Sequence, residues 1–195
     1  MSVRRSICLY TPSTDPSGMG AHMVDLITEY AETADVALMM RPTSGGRRLL
    51  DRAAALMAFE QLGSATRALE ITREFVMGRY AFGRPIASFQ AVKHRLADLW
   101  CEIELARSNC FWAAWALEND ESELQLAACS ARLAATRALE LAAVEMVQLH
   151  GGVGYTWEYD CHLFYRRSRL LGAALGGAPA WRDRLVARID ERAAA

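Results

Sequence analysis

From Arg47 onward the hydrophobic positions recur at intervals of three and four, the period that lines one face of a helix. Leu62, Ala65, Leu69, Thr72 and Val76 mark a first long helix that ends near Gly78. Phe89, Val92, Leu96, Leu99, Ile103, Ala106, Cys110, Ala113 and Leu117 mark a second, with Ser88 as its expected N-cap. Asn119 to Ser122 reads as the connection, and residues 123–149 as a third helix unusually rich in alanine. Ala128, Ala131, Ala135, Ala138 and Ala142 share one face there, and small side chains let neighbouring axes approach closely. A helix over residues 158–171, a loosened stretch from Gly172 to Gly177 and a helix over residues 180–193 complete the pattern. The predicted fold class is mainly α: residues 49–195 form an up-down four-helix bundle with an added C-terminal helix. The Phe89, Leu96 and Ile103 stripe and the alanine face cannot all be buried in so small a bundle, so one of them is expected to meet a second subunit.

Residues 1–48 break this period. A strand over residues 6–12, a turn-rich loop over 13–20, a helix over 21–31 and a strand from Val36 to Met40 give a β-α-β order. Pro42 and Ser44-Gly45-Gly46 are then expected to break the chain. Gly18, Gly20 and His22 weakly resemble the opening of a GT-B glycosyltransferase, whose loop amides can face a nucleotide-sugar phosphate. Such enzymes need two Rossmann-like domains, of which this segment supplies only a fraction, so Gly18–Gly20 reads as a helix-entry loop and His22 as a surface or packing residue. Two strands do not stand alone as a sheet, and the appendage is expected to lean on the helices or to stay partly mobile.

Composition narrows the partners. The chain has 195 residues, 52% of them hydrophobic and 23% charged, with a net charge of -1. That balance excludes a nucleic-acid or polybasic membrane surface and points to partners bound through apolar faces. No apolar run has the length of a membrane span, and Met1 to Arg5 leads into no signal-peptide hydrophobic region, so a cytoplasmic location is expected. Cys8, Cys101, Cys110, Cys129 and Cys161 lack metal-ligand or redox-motif spacing and read as structural thiols; no metal site is expected.

Two stretches carry candidate chemistry. Gln148-Leu149-His150-Gly151-Gly152-Val153-Gly154-Tyr155 ends the alanine-rich helix in a glycine turn, where the backbone is open to close approach. Upstream stands Arg79-Tyr80-Ala81-Phe82-Gly83-Arg84-Pro85-Ile86-Ala87-Ser88-Phe89-Gln90. In order and internal spacing the pair resembles the two signatures of the acyl-CoA dehydrogenase family's C-terminal helical domain, R-x-x-F-G-x-x-I-x-x-F-Q and Q-x-x-G-G-x-G-Y, over roughly residues 50–190.

The resemblance implies contacts to an FAD held mainly by a partner subunit. Arg79 would meet the pyrophosphate, Phe82 would pack near the adenosine half and Gln90 would hydrogen-bond there, while Gln148, Gly151 and Gly152 would touch the adenine end. A guanidinium suits a diphosphate in charge and donor geometry. The partner implied is a second copy or a full-length acyl-CoA dehydrogenase, with acyl-CoA reached only through it. Residues 1–48 offer no counterpart to the family's N-terminal helical and middle β-domains. The family's catalytic glutamate aligns with Leu175 in Ala174-Leu175-Gly176-Gly177, or in some relatives with Ala53, and neither can act as a base. Nearby Asp51 and Glu60 are expected to face solvent. The resemblance thus implies a flavin-completing subunit with no catalytic residue of its own, set against a purely structural helical dimer that binds no flavin.

Overall fold

The computed structural model describes residues 44–194, and the chain divides after residue 50 into two units, the second of which, residues 51–195, carries the features below. Apart from the start of the first helix, the β-α-β segment expected over residues 1–48, with its Gly18, Gly20 and His22, lies outside the described residues.

The described chain forms α1 (Ser44–Gly78), α2 (Gln90–Asn119), α3 (Glu121–His150), α4 (Cys161–Ala173) and α5 (Ala178–Ala193). Between α1 and α2 lies a two-stranded antiparallel ribbon, β1 (Tyr80–Ala81) and β2 (Arg84–Pro85). The mainly α bundle expected from the periodicity is what the chain adopts. Its ends differ in three places. Ser44-Gly45-Gly46 starts α1 instead of breaking the chain, because first-turn amides have no intrahelical partner to lose. Ser88 does not cap α2: a 3-10 turn over Ile86–Ser88 intervenes, Phe89 takes the cap position with extended backbone, and the Ser88 hydroxyl finds no partner. α4 begins at Cys161, not Glu158, because the glycine segment continues as a 3-10 turn to Tyr155 and Thr156 is extended.

Asp120 alone separates α2 from α3. Its carboxylate accepts from the Ser122 amide at 3.0 Å and the Ser122 hydroxyl at 2.6 Å, an N-cap that holds the carboxyl below its ordinary value.

α3 is the central helix and packs against α2, α4 and α5. Ala128, Ala131, Ala135, Ala138 and Ala142 are all fully buried, as are Leu99, Ile103, Ala106 and Cys110 on α2. The alanine face is therefore consumed inside the bundle, whereas the expected stripe on α2 is buried only at Ile103, with Phe89 and Leu96 left half-buried, as expected if both faces cannot be closed within one bundle. Small side chains let α3 sit close to its neighbours and close the alanine face. Further apolar surface is exposed on α2 at Trp100, Phe111 and Trp115, and on α1 at Leu56. Phe111 meets Phe59 of α1 edge-on at 5.9 Å.

Polar contacts fix the helices' mutual register. Arg132, fully buried on α3, donates to Gln61 of α1, to Thr136, and to the carbonyls of Leu171 and Ala174. Asp51 is buried and paired with Arg184 of α5, which corrects its expected solvent-facing role; one turn of α1 faces α5 there, and a carboxylate taken from water needs such a partner. Glu60 does face solvent and pairs with Arg167 of α4. Burial pushes the Cys110 and Cys129 thiols up to about 11, so both stay protonated and inert. No helix among the described residues is long and apolar enough to cross a membrane.

Candidate functional site

α1 ends where the Arg79 amide donates to the Phe75 carbonyl at 2.9 Å, and the ribbon closes where the Ile86 amide donates to the Arg79 carbonyl at 2.8 Å. Ala81 pairs with Arg84 and Tyr80 with Pro85, leaving Phe82-Gly83 as a two-residue turn with φ of 53° and 76°. Positive φ at both positions is the hairpin geometry that asparagine and glycine adopt readily. Phenylalanine at the first of them carries strain on the order of 1–2 kcal/mol. Phe82 is also 95% exposed, its one ring contact being an edge-on approach to Phe89 at 6.3 Å, so little packing offsets the strain. Arg79 is exposed, and among the described residues its side chain has no hydrogen bond or ion pair. Gln90, the first residue of α2, is exposed as well.

The second stretch ends α3. Gly151 takes φ 65° and its amide donates to the Gln148 carbonyl, a left-handed stop that glycine adopts without strain. Gln148, Gly151 and Gly152 are exposed. A Cβ on Gly152 would meet nothing within 4 Å, whereas one on Gly154 would stand 2.6 Å from the Val147 carbonyl oxygen and 3.1 Å from the His150 Cβ. The glycines therefore serve different ends: Gly154 lets the turn fold back on α3, and nothing inside this chain requires glycine at 152. Gly154→Ala is expected to lower stability by about 1–3 kcal/mol. Gly152→Ala should stay within about 0.5 kcal/mol of wild type. Urea denaturation distinguishes them, and equal losses would contradict the assignment.

What joins the two stretches is an aromatic stack. The Phe75 ring, one turn before Arg79, lies on His150, immediately before Gly151, at 4.1 Å and 23°. Tyr159 meets both rings edge-on, at 5.6 and 5.5 Å. Arg79, Phe82, Gln90, Gln148, Gly151 and Gly152 are thereby gathered at one end of the bundle, although no hydrogen bond links the two segments among the described residues. Of the stacking residues, His150 stands at an unspecified position inside the second signature, while Phe75 and Tyr159 each lie four residues outside a signature and have no spacing that marks them. Arg84 is a further addition: its guanidinium lies 4.0 Å over the Phe89 ring.

Elsewhere the chemistry is internal. A groove of about 610 Å³ between α2 and α3 contains none of these residues and is crossed by Arg95–Glu145 and Arg137–Glu102 ion pairs at 3.0 and 2.9 Å. Among the described residues no cluster of His, Cys, Asp or Glu is placed to hold a metal. At the bend between α4 and α5, Leu175 has φ 58° and its carbonyl accepts from the Trp181 indole at 3.2 Å. Ala53 is half-buried on α1.

The exposed end suits an extended dinucleotide: an arginine without an acidic partner, glycine backbone with open space before it, and an aromatic ring presented outward.

Comparison with known proteins shows the family and the fold. Residues 46–189 match the family model described as acyl-CoA dehydrogenase, C-terminal domain. Acyl-CoA dehydrogenase IpdE2 of Mycobacterium tuberculosis is 47% identical over 120 residues, covering 62% of this chain and 36% of the relative. Among solved structures, the Tcur3481-Tcur3483 steroid ACAD superposes with a TM-score of 0.74 at 36% identity, over 78% of this chain and 42% of that one. The ChsE4-ChsE5 complex from Mycobacterium tuberculosis gives 0.72 at 31%, over 76% and 40%. The chain thus spans well under half the length of these relatives. The glycosyltransferase likeness of the first fifty or so residues gains no support from these comparisons, and the family match begins at residue 46, after Gly18, Gly20 and His22. By the match across most of its length, and by both signatures standing at one end of the expected helical bundle, this chain belongs to the acyl-CoA dehydrogenase family.

Proposed function

We propose that the chain is a partial acyl-CoA dehydrogenase subunit that dimerises, or joins a full-length family member, and lends adenine-side and pyrophosphate contacts to a flavin site. The observation that carries this reading is the gathering of both signatures at one solvent-facing end by the Phe75–His150 stack. The family is FAD-dependent, and two of the similar structures are described by pairs of subunit names, Tcur3481-Tcur3483 and ChsE4-ChsE5. In this reading Arg79 binds the diphosphate, Phe82 covers the adenosine half beside Gln90, and Gln148, Gly151 and Gly152 receive the adenine end. FAD, when bound, supplies the acceptor for the hydride equivalent leaving the acyl chain. The chain's own residues bind and orient; with Leu175 and Ala53 at the positions where the resemblance places a carboxylate, the proton-abstracting group is assigned to the partner, which also holds the acyl-CoA.

Arg79→Ala tests this. Loss of charge-assisted bonds to a diphosphate, each worth about 1.5–3 kcal/mol, should weaken FAD binding by a complex with a full-length homologue at least about tenfold. Folding should hardly change, because the side chain is exposed and has no partner among the described residues. Equal affinities for wild type and variant would remove Arg79 from the site and leave the structural, flavin-free dimer as the better reading.

A further inference from the structure

His150 closes the last turn of α3 and is 4% exposed. The Met146 carbonyl can only accept, so the proton of the neutral ring resides on Nδ1, which donates to it at 2.7 Å. Nε2 is left as a bare lone pair, buried and without a partner. A second proton would have to enter there, between the Phe75 face and the Tyr159 edge, producing a buried cation whose new N–H has no acceptor. The charged groups on the elements packed around the ring do not relieve this. They are Arg73 and Glu74 on α1, Arg79 just past its end, Glu145 on α3, which faces Arg95, and Glu158 and Asp160 beside Tyr159. None of them shifts the ring's titration, which burial lowers and only the Met146 carbonyl opposes.

We propose that His150 is the positioning residue that joins the two signature segments, and that it joins them only while its ring is neutral. Protonation expels the ring from the stack, releases Phe75 from the glycine turn and separates Arg79 from Gly151 and Gly152. The functional consequence, acid release of the nucleotide-facing end, rests on the flavin reading above; the joint itself does not.

The folded chain resists a proton that the unfolded chain takes up, so the ring's contribution is complete above its ordinary pKa of 6.5 and is lost as the pH falls below that value. The test uses the full chain as wild type and as His150→Phe, which keeps a ring in the stack but cannot be charged. Between pH 7.5 and 5.5 the wild-type melting temperature should fall further than that of the variant. By NMR, the His150 ring should titrate below its ordinary range, and only as the native Phe75 and Tyr159 signals disappear. Parallel melting profiles, or a His150 that titrates normally with the native signals intact, would overturn the joint. The NMR arm needs only wild-type protein and decides the question even if the variant does not fold. In complex with a full-length homologue, FAD affinity should drop about fivefold more in wild type than in His150→Phe over the same interval. A complex that takes up no FAD at either pH defeats the flavin reading, and the chain-only readouts still judge the joint.

Discussion

Replacing Arg132 with alanine is expected to lower the folding stability by about 3–5 kcal/mol, a large share of the roughly 5–15 kcal/mol typical of a domain. Arg132 is 1% exposed and donates to Gln61 Oε1 at 2.5 Å, Thr136 Oγ1 at 2.7 Å and the Ala174 carbonyl at 2.8 Å, with a further bond to the Leu171 carbonyl. Bonds from a charged donor are worth more than neutral ones, and removing the donor strands the carbonyls at the end of α4, which no helical amide can reach. A cavity adds to the loss. Arg132→Met restores volume without donors and should recover only part of it. Urea denaturation measures both; a loss under about 1 kcal/mol in the alanine variant would show that water satisfies those carbonyls.

Trp181→Ala should have a comparable effect, about 3–5 kcal/mol, for a different reason. Its ring is 1% exposed and fastens α5 to the bundle, with the Arg184 guanidinium 5.0 Å over it and that same arginine paired to buried Asp51. The indole N–H also holds the Leu175 carbonyl, at a bend where Leu175 and Gly176 both have positive φ. Trp181→Phe keeps most of the apolar contact and loses the donor, so its cost should be nearer 1–2 kcal/mol. Thermal melts of the two variants separate packing from hydrogen bonding: equal losses would place the whole effect in the N–H. Arg132 and Trp181 thus hold the Ala174–Gly177 bend from its two ends, so either alanine variant should loosen it.

Helices were the legible part of this chain because their signal is local. Intervals of three and four placed Leu99, Ile103, Ala106 and Cys110 in the core without knowledge of any neighbour. The buried polar contacts were not legible to the same degree. Arg132 stands four residues from Ala128 and four from Thr136, inside an otherwise apolar row, yet its partners Gln61 and Leu171 come from distant parts of the chain. Asp51 failed for the same reason: a lone carboxylate on a long helix reads as solvated until the opposing Arg184 is in place. The candidate site was legible as two motifs but not as one place. Residue types and spacing picked out Arg79, Phe82, Gln90, Gln148, Gly151 and Gly152, whereas the rings that bring them together have no recurring spacing to betray them. Ser88 shows the limit of local rules at a helix start, since a single extra 3-10 turn moved the cap by one residue.

α2 and α3 each contain 30 residues and are separated by Asp120 alone. Two antiparallel rods of equal length, hinged at one residue, act as a gauge. Each measures about 45 Å at 1.5 Å per residue, so whatever begins one must stand level with whatever ends the other. Gln90 and His150 are therefore level because of a count, not because of any bond between them. One additional helical turn in either rod would leave the apolar period nearly in phase, and the bundle would still close. It would also slide the start of α2 about 5 Å past the glycine turn, enough to pull apart two halves of a site while every core contact looked intact.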